Sequence, residues 1–82
     1  MSIQNAKFFL KDIQQSDRLR DEINSLKTVN EFTEYLEQCK LPFSSSEIEE
    51  AFNMLHVQCQ SENEAESLKN AYLYYQLIIA TF

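Results

Sequence analysis

The chain has 82 residues, with no glycine, one proline and a formal net charge of −6. This length allows one small domain, near the lower limit for folding without disulfides or metals. The missing glycines exclude glycine-rich phosphate loops, and the negative charge disfavours nucleic acids and anionic membrane surfaces as partners. No stretch approaches the roughly 18 consecutive apolar residues of a membrane span, so none is predicted.

Five capping signals predict five helices. Ser2 and Ser16 are suited to be plain N-caps. The Ser/Thr-x-x-Glu pattern of a capping box occurs at Thr28–Glu31, Ser44–Glu47 and Ser61–Glu64. We therefore predict an all-α bundle of five short helices, near residues 3–14, 17–26, 29–39, 45–58 and 62–80.

Apolar residues at helical spacing predict the core-facing stripes of the first four helices. These residues are Ile3, Ala6, Phe9, Leu10 and Ile13, then Leu19, Ile23 and Leu26, then Val29, Phe32, Leu36 and Cys39, and finally Ile48, Ala51, Phe52, Leu55 and Cys59. Pro42 disfavours helical geometry at Leu41, which predicts the break between the third and fourth helices. Without linkers or repeats, we expect residues 1–82 to form one domain.

The C-terminal helix does not follow this simple pattern. Residues 70–82 contain no charged side chain, and apolar residues surround the helix. The core-facing stripe is predicted to contain Leu68, Ala71, Tyr72, Tyr75, Ile78, Ile79 and Phe82. Leu73, Tyr74 and Leu77 then lie on another face. A helix that is apolar all round is either central to the bundle or covered by a partner, and both alternatives stay open.

Charge is distributed unevenly along the chain. Residues 1–30 carry five basic and four acidic side chains, whereas residues 31–66 carry nine acidic side chains and one basic side chain. This acidic middle, which includes Glu49 and Glu50, is suited to meet a basic partner and speed association. The alternative is a solvated face that keeps a small protein in solution.

No catalytic or cofactor-binding residue is predicted. His56 and Cys59 are three residues apart, but a zinc site needs two more nitrogen or sulfur ligands and only Cys39 remains. A catalytic Cys–His pair needs an orienting third group and an oxyanion hole, and an oxyanion hole is often built on a tight backbone turn. A chain without glycine is poorly suited to form such a turn. Both cysteines are therefore expected to act as small hydrophobes. Metal or redox sensing through these three residues is the second alternative.

The sequence also predicts the compartment of the protein. Because there is no signal-peptide pattern, the two cysteines are expected to be reduced, which predicts a cytoplasmic protein.

Four segments of the chain together form a family pattern, namely Met1–Lys7 with Phe9-Leu10, Ser16–Arg20, Thr28–Phe32, and Phe43-Ser44 followed by Glu47-Ile48 and Ala51. Through these segments, residues 2–51 resemble the Nif-eleven domain, a small bacterial domain of nitrogen-fixation loci that also forms the leader region of many modified peptides. Most residues of the four segments are helix caps or core positions. The segment from residue 61 to 82 is an additional apolar helix beyond the resemblance.

Two features depart from the family's pattern. The family usually has glycine near the end of the third helix, where this chain has Lys40, so we expect that turn to be built differently. Leader-type members end in a cleavage site, commonly Gly-Gly, and a core peptide rich in Cys, Ser and Thr. This chain has neither, which favours a stand-alone domain over a peptide precursor.

The resemblance implies a binding role, because leader regions are docking elements for modifying enzymes. We therefore predict a non-catalytic protein-interaction module whose partner is a modification enzyme, a nitrogen-fixation component or a second copy of the chain. The candidate contact residues are Leu73, Tyr74, Leu77, Phe82, Glu49 and Glu50. A small structural homodimer, paired through its terminal helices, is the first alternative.

Overall fold

The computed structural model describes residues 2–82, and these form five α-helices, as predicted. The helices are α1 (Ile3–Gln15), α2 (Asp17–Asn24), α3 (Val29–Gln38), α4 (Ser45–Gln58) and α5 (Glu62–Thr81). No strand occurs among the described residues. The all-α prediction is confirmed, and each predicted boundary lies within two residues of the observed one.

Every helix begins at a predicted cap. The hydroxyl of each N-cap residue accepts a hydrogen bond from the backbone amide three residues later, at Ser2, Ser16, Thr28, Ser44 and Ser61. This bond satisfies one of the amides that the first helical turn leaves without a partner.

Only one of the three predicted capping boxes is complete. At α4, the Glu47 carboxylate accepts from the Ser44 amide at 2.8 Å, as the motif requires. At α3 and α5, the glutamate accepts from the residue before the N-cap instead. Glu31 accepts from the Lys27 amide at 2.6 Å, and Glu64 accepts from the Gln60 amide at 3.0 Å. Both bonds still tie the incoming chain to the first helical turn.

α1 lies at the centre of the bundle and packs closely against α4, α5 and α2. One hydrophobic cluster contains side chains from all five helices and from the α3–α4 loop. Its members are Ala6, Phe9, Leu10, Ile13, Ile23, Phe32, Leu36, Phe43, Ile48, Ala51, Leu68, Ala71 and Tyr75. The predicted stripes thus form the core, although Val29, assigned to the stripe of α3, is 48% exposed at the start of that helix.

Lys40 follows the C-cap of α3 and adopts the left-handed conformation, with φ of 61°. The Leu41 amide donates to the Leu36 carbonyl at 2.8 Å, and the Lys40 amide donates to the Glu37 carbonyl at 3.0 Å. These two bonds are the Schellman motif, which usually has glycine at the left-handed position. The expectation of a differently built turn is therefore wrong, because a lysine adopts the backbone geometry in which glycine is favoured.

We expect Lys40→Gly to raise the free energy of unfolding by up to about 1 kcal/mol. A left-handed residue with a Cβ atom costs about 1–2 kcal/mol, and the extra freedom of glycine in the unfolded chain offsets part of the gain. Urea denaturation followed by circular dichroism measures the change. Lys40→Ala is the control, since it retains the Cβ atom and should gain much less. A loss of stability in Lys40→Gly would contradict this geometry.

Candidate functional site

α5 has one face in the core and another that is exposed. Leu68, Ala71 and Tyr75 are buried and lie three to four residues apart. On the opposite side, Leu73 is 54% exposed and Leu77 is 67% exposed. Leu73 and Leu77 are four residues apart, so they form neighbouring positions on one helical face. We call this pair the leucine face.

Tyr74 does not belong to the leucine face, contrary to the sequence prediction. Its hydroxyl lies 3.0 Å from the Arg20 carbonyl oxygen and 2.7 Å from Oδ1 of Asn24, and its ring is partly buried. Burial raises the pKa of the Tyr74 hydroxyl, which stays protonated and able to donate at neutral pH. Tyr74 therefore joins α5 to α2. Its hydroxyl group is what allows the uncharged second half of α5 to pack beside the charged helix α2.

Phe82 is partly buried and packs on the core. Its ring centroid lies 5.9 Å from that of Phe32. This placement agrees with its assignment to the core-facing stripe. Of the four candidate contact residues on α5 and at its C-cap, only Leu73 and Leu77 present most of their side chain to solvent.

The two candidate acidic residues lie on the outer surface of α4. Glu49 and Glu50 are both exposed. Glu49 borders a shallow cleft of about 370 Å³ between α4 and α5, whose wall includes Tyr72. Burial, with the nearby Glu49 carboxylate, raises the pKa of the Tyr72 hydroxyl. Tyr72 also stacks on Phe52, with ring centroids 4.6 Å apart. Glu49 therefore borders the cleft between α4 and α5, whereas Glu50 is exposed on α4 and does not line this cleft.

A second cleft, between α3 and α5, has a volume of about 460 Å³. It is lined mainly by apolar side chains, and its full lining is Val29, Phe32, Thr33, Leu36, Glu37, Pro42, Phe43, Ser45, Tyr75 and Ile79. Helical periodicity identified most of the apolar residues as core positions. No sequence signal indicated a cleft, because the distance between two helix axes is not encoded in the spacing along either helix.

The residues of the metal and redox alternative lie at helix ends. Cys39 is exposed at the C-cap of α3, so the expectation that it acts as a core hydrophobe is wrong, because the chain leaves the helix at that residue. Cys59 packs against the core as expected, and its thiol donates to the Leu55 carbonyl at the end of α4. The His56 ring lies 5.6 Å from the Phe52 ring. Within residues 2–82, no three side chains of metal-binding type are grouped closely enough to hold an ion.

Tyr35 and Glu22 form a hydrogen bond that joins α3 to α2, with the Tyr35 hydroxyl donating to the Glu22 carboxylate. This bond, together with Arg18, holds the pKa of Glu22 below its ordinary value of 4.5. Burial, together with the same bond, raises the pKa of Tyr35 well above its ordinary range. Sequence reasoning missed this pair, since the two residues are 13 positions apart on different helices.

The Tyr35–Glu22 pair predicts a pH dependence of stability. Because the pKa of Glu22 is lowered by folding, its contribution is present above pH 4.5 and is lost as the pH falls through the lower folded-state value. We expect Tyr35→Phe to destabilise the protein at neutral pH and to have a smaller effect at about pH 3. Urea denaturation at both pH values tests this expectation.

The control for this experiment is Tyr35→Phe in a Glu22→Gln background. There the substitution should have the same effect at both pH values, because no carboxylate remains to titrate at position 22. An undiminished effect of Tyr35→Phe at low pH in the otherwise wild-type chain would contradict the prediction.

The caps of the first four helices and the α3–α4 turn lie within the part of the chain that a family model recognises. The model of the Nif11 domain matches residues 1–48. The chain belongs to the Nif11 family. No curated protein and no solved structure matches the chain.

The Nif11 match confirms the resemblance found in the sequence and relates it to the fold. Residues 1–48 include α1, α2, α3 and the first turn of α4. α5 lies outside the matched residues, yet Leu68, Ala71 and Tyr75 enter the same core as α1. The Nif11 family is of the peptide-precursor or leader type. None of the helices in residues 2–82 has the length and apolarity needed to cross a membrane.

Proposed function

We propose that this protein is a non-catalytic docking module that binds another protein through the leucine face of α5. The observation that carries the proposal is the exposure of Leu73 and Leu77 on a helix whose opposite face enters the core through Leu68, Ala71 and Tyr75. Helices that dock into apolar grooves typically use anchors spaced three or four residues apart. The pair fits that mode without any rearrangement of the bundle.

The composition of α5 supports the same function. Residues 70–82 carry no charged side chain, so a partner that covers Leu77 and the end of α5 has no charge on that part of the helix to desolvate. Glu66 and Lys69 border Leu73 on its N-terminal side. Burial of an exposed leucine stabilises a complex by about 1.5–3 kcal/mol before the costs of association are included. Two leucine anchors therefore favour a reversible complex of modest affinity.

The Nif11 relationship suggests the class of partner. Because the family is of the leader type, we infer that the partner is a peptide-modifying enzyme or a component of a nitrogen-fixation locus. The acidic residues Glu49 and Glu50 would speed the encounter with a basic enzyme surface. The two free cysteines support a cytoplasmic setting for this encounter.

A homodimer is the second candidate, because a second copy of the chain would also bury the leucine face. Sedimentation velocity at micromolar concentration separates the two functions. We expect a monomer, and we expect Leu73→Glu and Leu77→Glu to leave its sedimentation unchanged. A wild-type dimer that becomes monomeric in either variant would contradict docking to a different protein and would support the homodimer.

A further inference from the structure

The cleft between α3 and α5 is an apolar groove with a preformed floor. Phe32, Leu36, Phe43 and Tyr75 line it and are each no more than 9% exposed. The ring centroid of Tyr75 lies 6.1 Å from the ring centroid of Phe32 and 5.9 Å from the ring centroid of Phe43. These contacts fix the floor without any ligand, so an entering side chain meets an apolar surface that is already ordered.

The groove continues into the cleft between α4 and α5. Both clefts are lined by Ser45, Tyr75 and Ile79, so they meet at these residues. Their volumes of about 460 and 370 Å³ fall within the usual range of binding pockets. The combined surface crosses α5 from α3 to α4, and we call it the α3–α5–α4 groove.

The position of α3 explains why the groove is open. The closely packed helix pairs are α1 with α4, α1 with α5, α1 with α2, and α4 with α5. α3 contributes Phe32 and Leu36 to the core but does not approach another helix as closely as these pairs do. Because α3 stands off from α5, the apolar side chains between them are not completely covered.

The charged residues that line the groove are both acidic. Glu37 lines the α3 side and Glu49 lines the α4 side, and both side chains are exposed at the rim. Lys40 lies beyond the end of α3 and does not line either cleft. An apolar floor between two carboxylates complements a segment that has apolar side chains flanked by lysine or arginine.

We propose that the α3–α5–α4 groove binds a basic, apolar peptide segment of a partner protein. The apolar side chains of that segment lie over Tyr75 between Val29 and Ile79, and its basic side chains pair with Glu37 and Glu49. This surface differs from the leucine face, so the proposal holds or fails independently of docking through Leu73 and Leu77. If both surfaces are used, the protein joins two partners.

Selection of randomised 12-residue peptides displayed on phage, against the immobilised full chain, tests the proposal. The Thr33→Trp variant serves for counter-selection, because Thr33 is exposed, lines the groove and can carry a bulky ring without disturbing the core. We expect the selected peptides to be enriched in lysine or arginine together with large apolar residues. Enrichment in acidic peptides, or no enrichment over the Thr33→Trp pool, would overturn the proposal.

Fluorescence anisotropy with one selected peptide then tests the charges. We expect Glu37→Gln and Glu49→Gln each to weaken binding about threefold, as for an exposed ion pair. Glu34→Gln and Glu50→Gln are the matched controls, since these carboxylates lie on the same helices but do not line the groove. Thr33→Trp should weaken binding by at least about tenfold through a steric clash.

One more variant distinguishes peptide binding in the groove from peptide binding at the leucine face. Leu77→Glu should leave peptide affinity unchanged, because Leu77 does not line either cleft. Equal losses in Glu49→Gln and Glu50→Gln, or a loss in Leu77→Glu as large as that in Thr33→Trp, would show that the peptide binds elsewhere and would overturn the proposal.

Discussion

Phe9→Ala is expected to unfold the protein or to leave it barely stable. Phe9 is 1% exposed, and its ring centroid lies 5.9 Å from Phe32, 5.1 Å from Phe43 and 6.2 Å from Tyr75. Truncation of a buried phenylalanine typically costs about 3–5 kcal/mol, whereas a chain of this length has a total stability of roughly 4–12 kcal/mol. Thermal and urea denaturation measure the loss.

The adjacent residue provides the control. Phe8 is 46% exposed on α1, so Phe8→Ala should change the free energy of unfolding by no more than about 0.5 kcal/mol. The two variants remove the same ring from consecutive positions of one helix. Comparable losses in both would contradict the placement of Phe9 at the centre of the aromatic cluster.

Leu68→Glu and Leu77→Glu make the same change on opposite faces of α5. Leu68 is 3% exposed, so a glutamate there places a carboxylate in the core or forces α5 away from it. We expect this variant to lose cooperative unfolding. Leu77 is 67% exposed, and Leu77→Glu should keep the wild-type thermal midpoint within a few degrees. Circular dichroism during heating distinguishes these results.

This pair also decides between the two interpretations of an apolar α5. If Leu77→Glu unfolded the protein as Leu68→Glu does, α5 would be enclosed on all sides and the leucine face would not exist. If Leu68→Glu had no effect, α5 would not belong to the core formed by α1. Either result would remove the structural basis of the proposed docking surface.

Much of the fold was predictable because its signals are local. A serine or threonine hydroxyl reaches an amide three residues away, so Ser2, Ser16, Thr28, Ser44 and Ser61 marked the helix starts correctly. The end of α2 was less accurate. The regular helix ends at Asn24. The amides of Ser25 and Leu26 then donate to carbonyls three residues earlier, so the chain continues in tight turns. No glycine or proline marks that change.

The candidate site was only partly predictable. Periodicity correctly separated Leu73 and Leu77 from the core, because the helix alone fixes which residues share a face. It assigned Tyr74 to the same side, since nothing in the spacing shows that the Arg20 carbonyl and Oδ1 of Asn24 on α2 are placed to accept from its hydroxyl. The groove beside α3 depends on how far apart two helices lie, and that distance results from packing of the whole bundle.

Site-specific photocrosslinking from position 77 in the native host tests the docking function most directly. The crosslinker benzoylphenylalanine replaces Leu77 in one strain and Gln15, an exposed residue on α1, in a control strain. We predict a covalent adduct with a different protein from position 77, none with that protein from position 15, and loss of the adduct when Leu73→Glu is added. No adduct from position 77, or an adduct that contains only a second copy of this chain, would contradict docking through the leucine face to another protein.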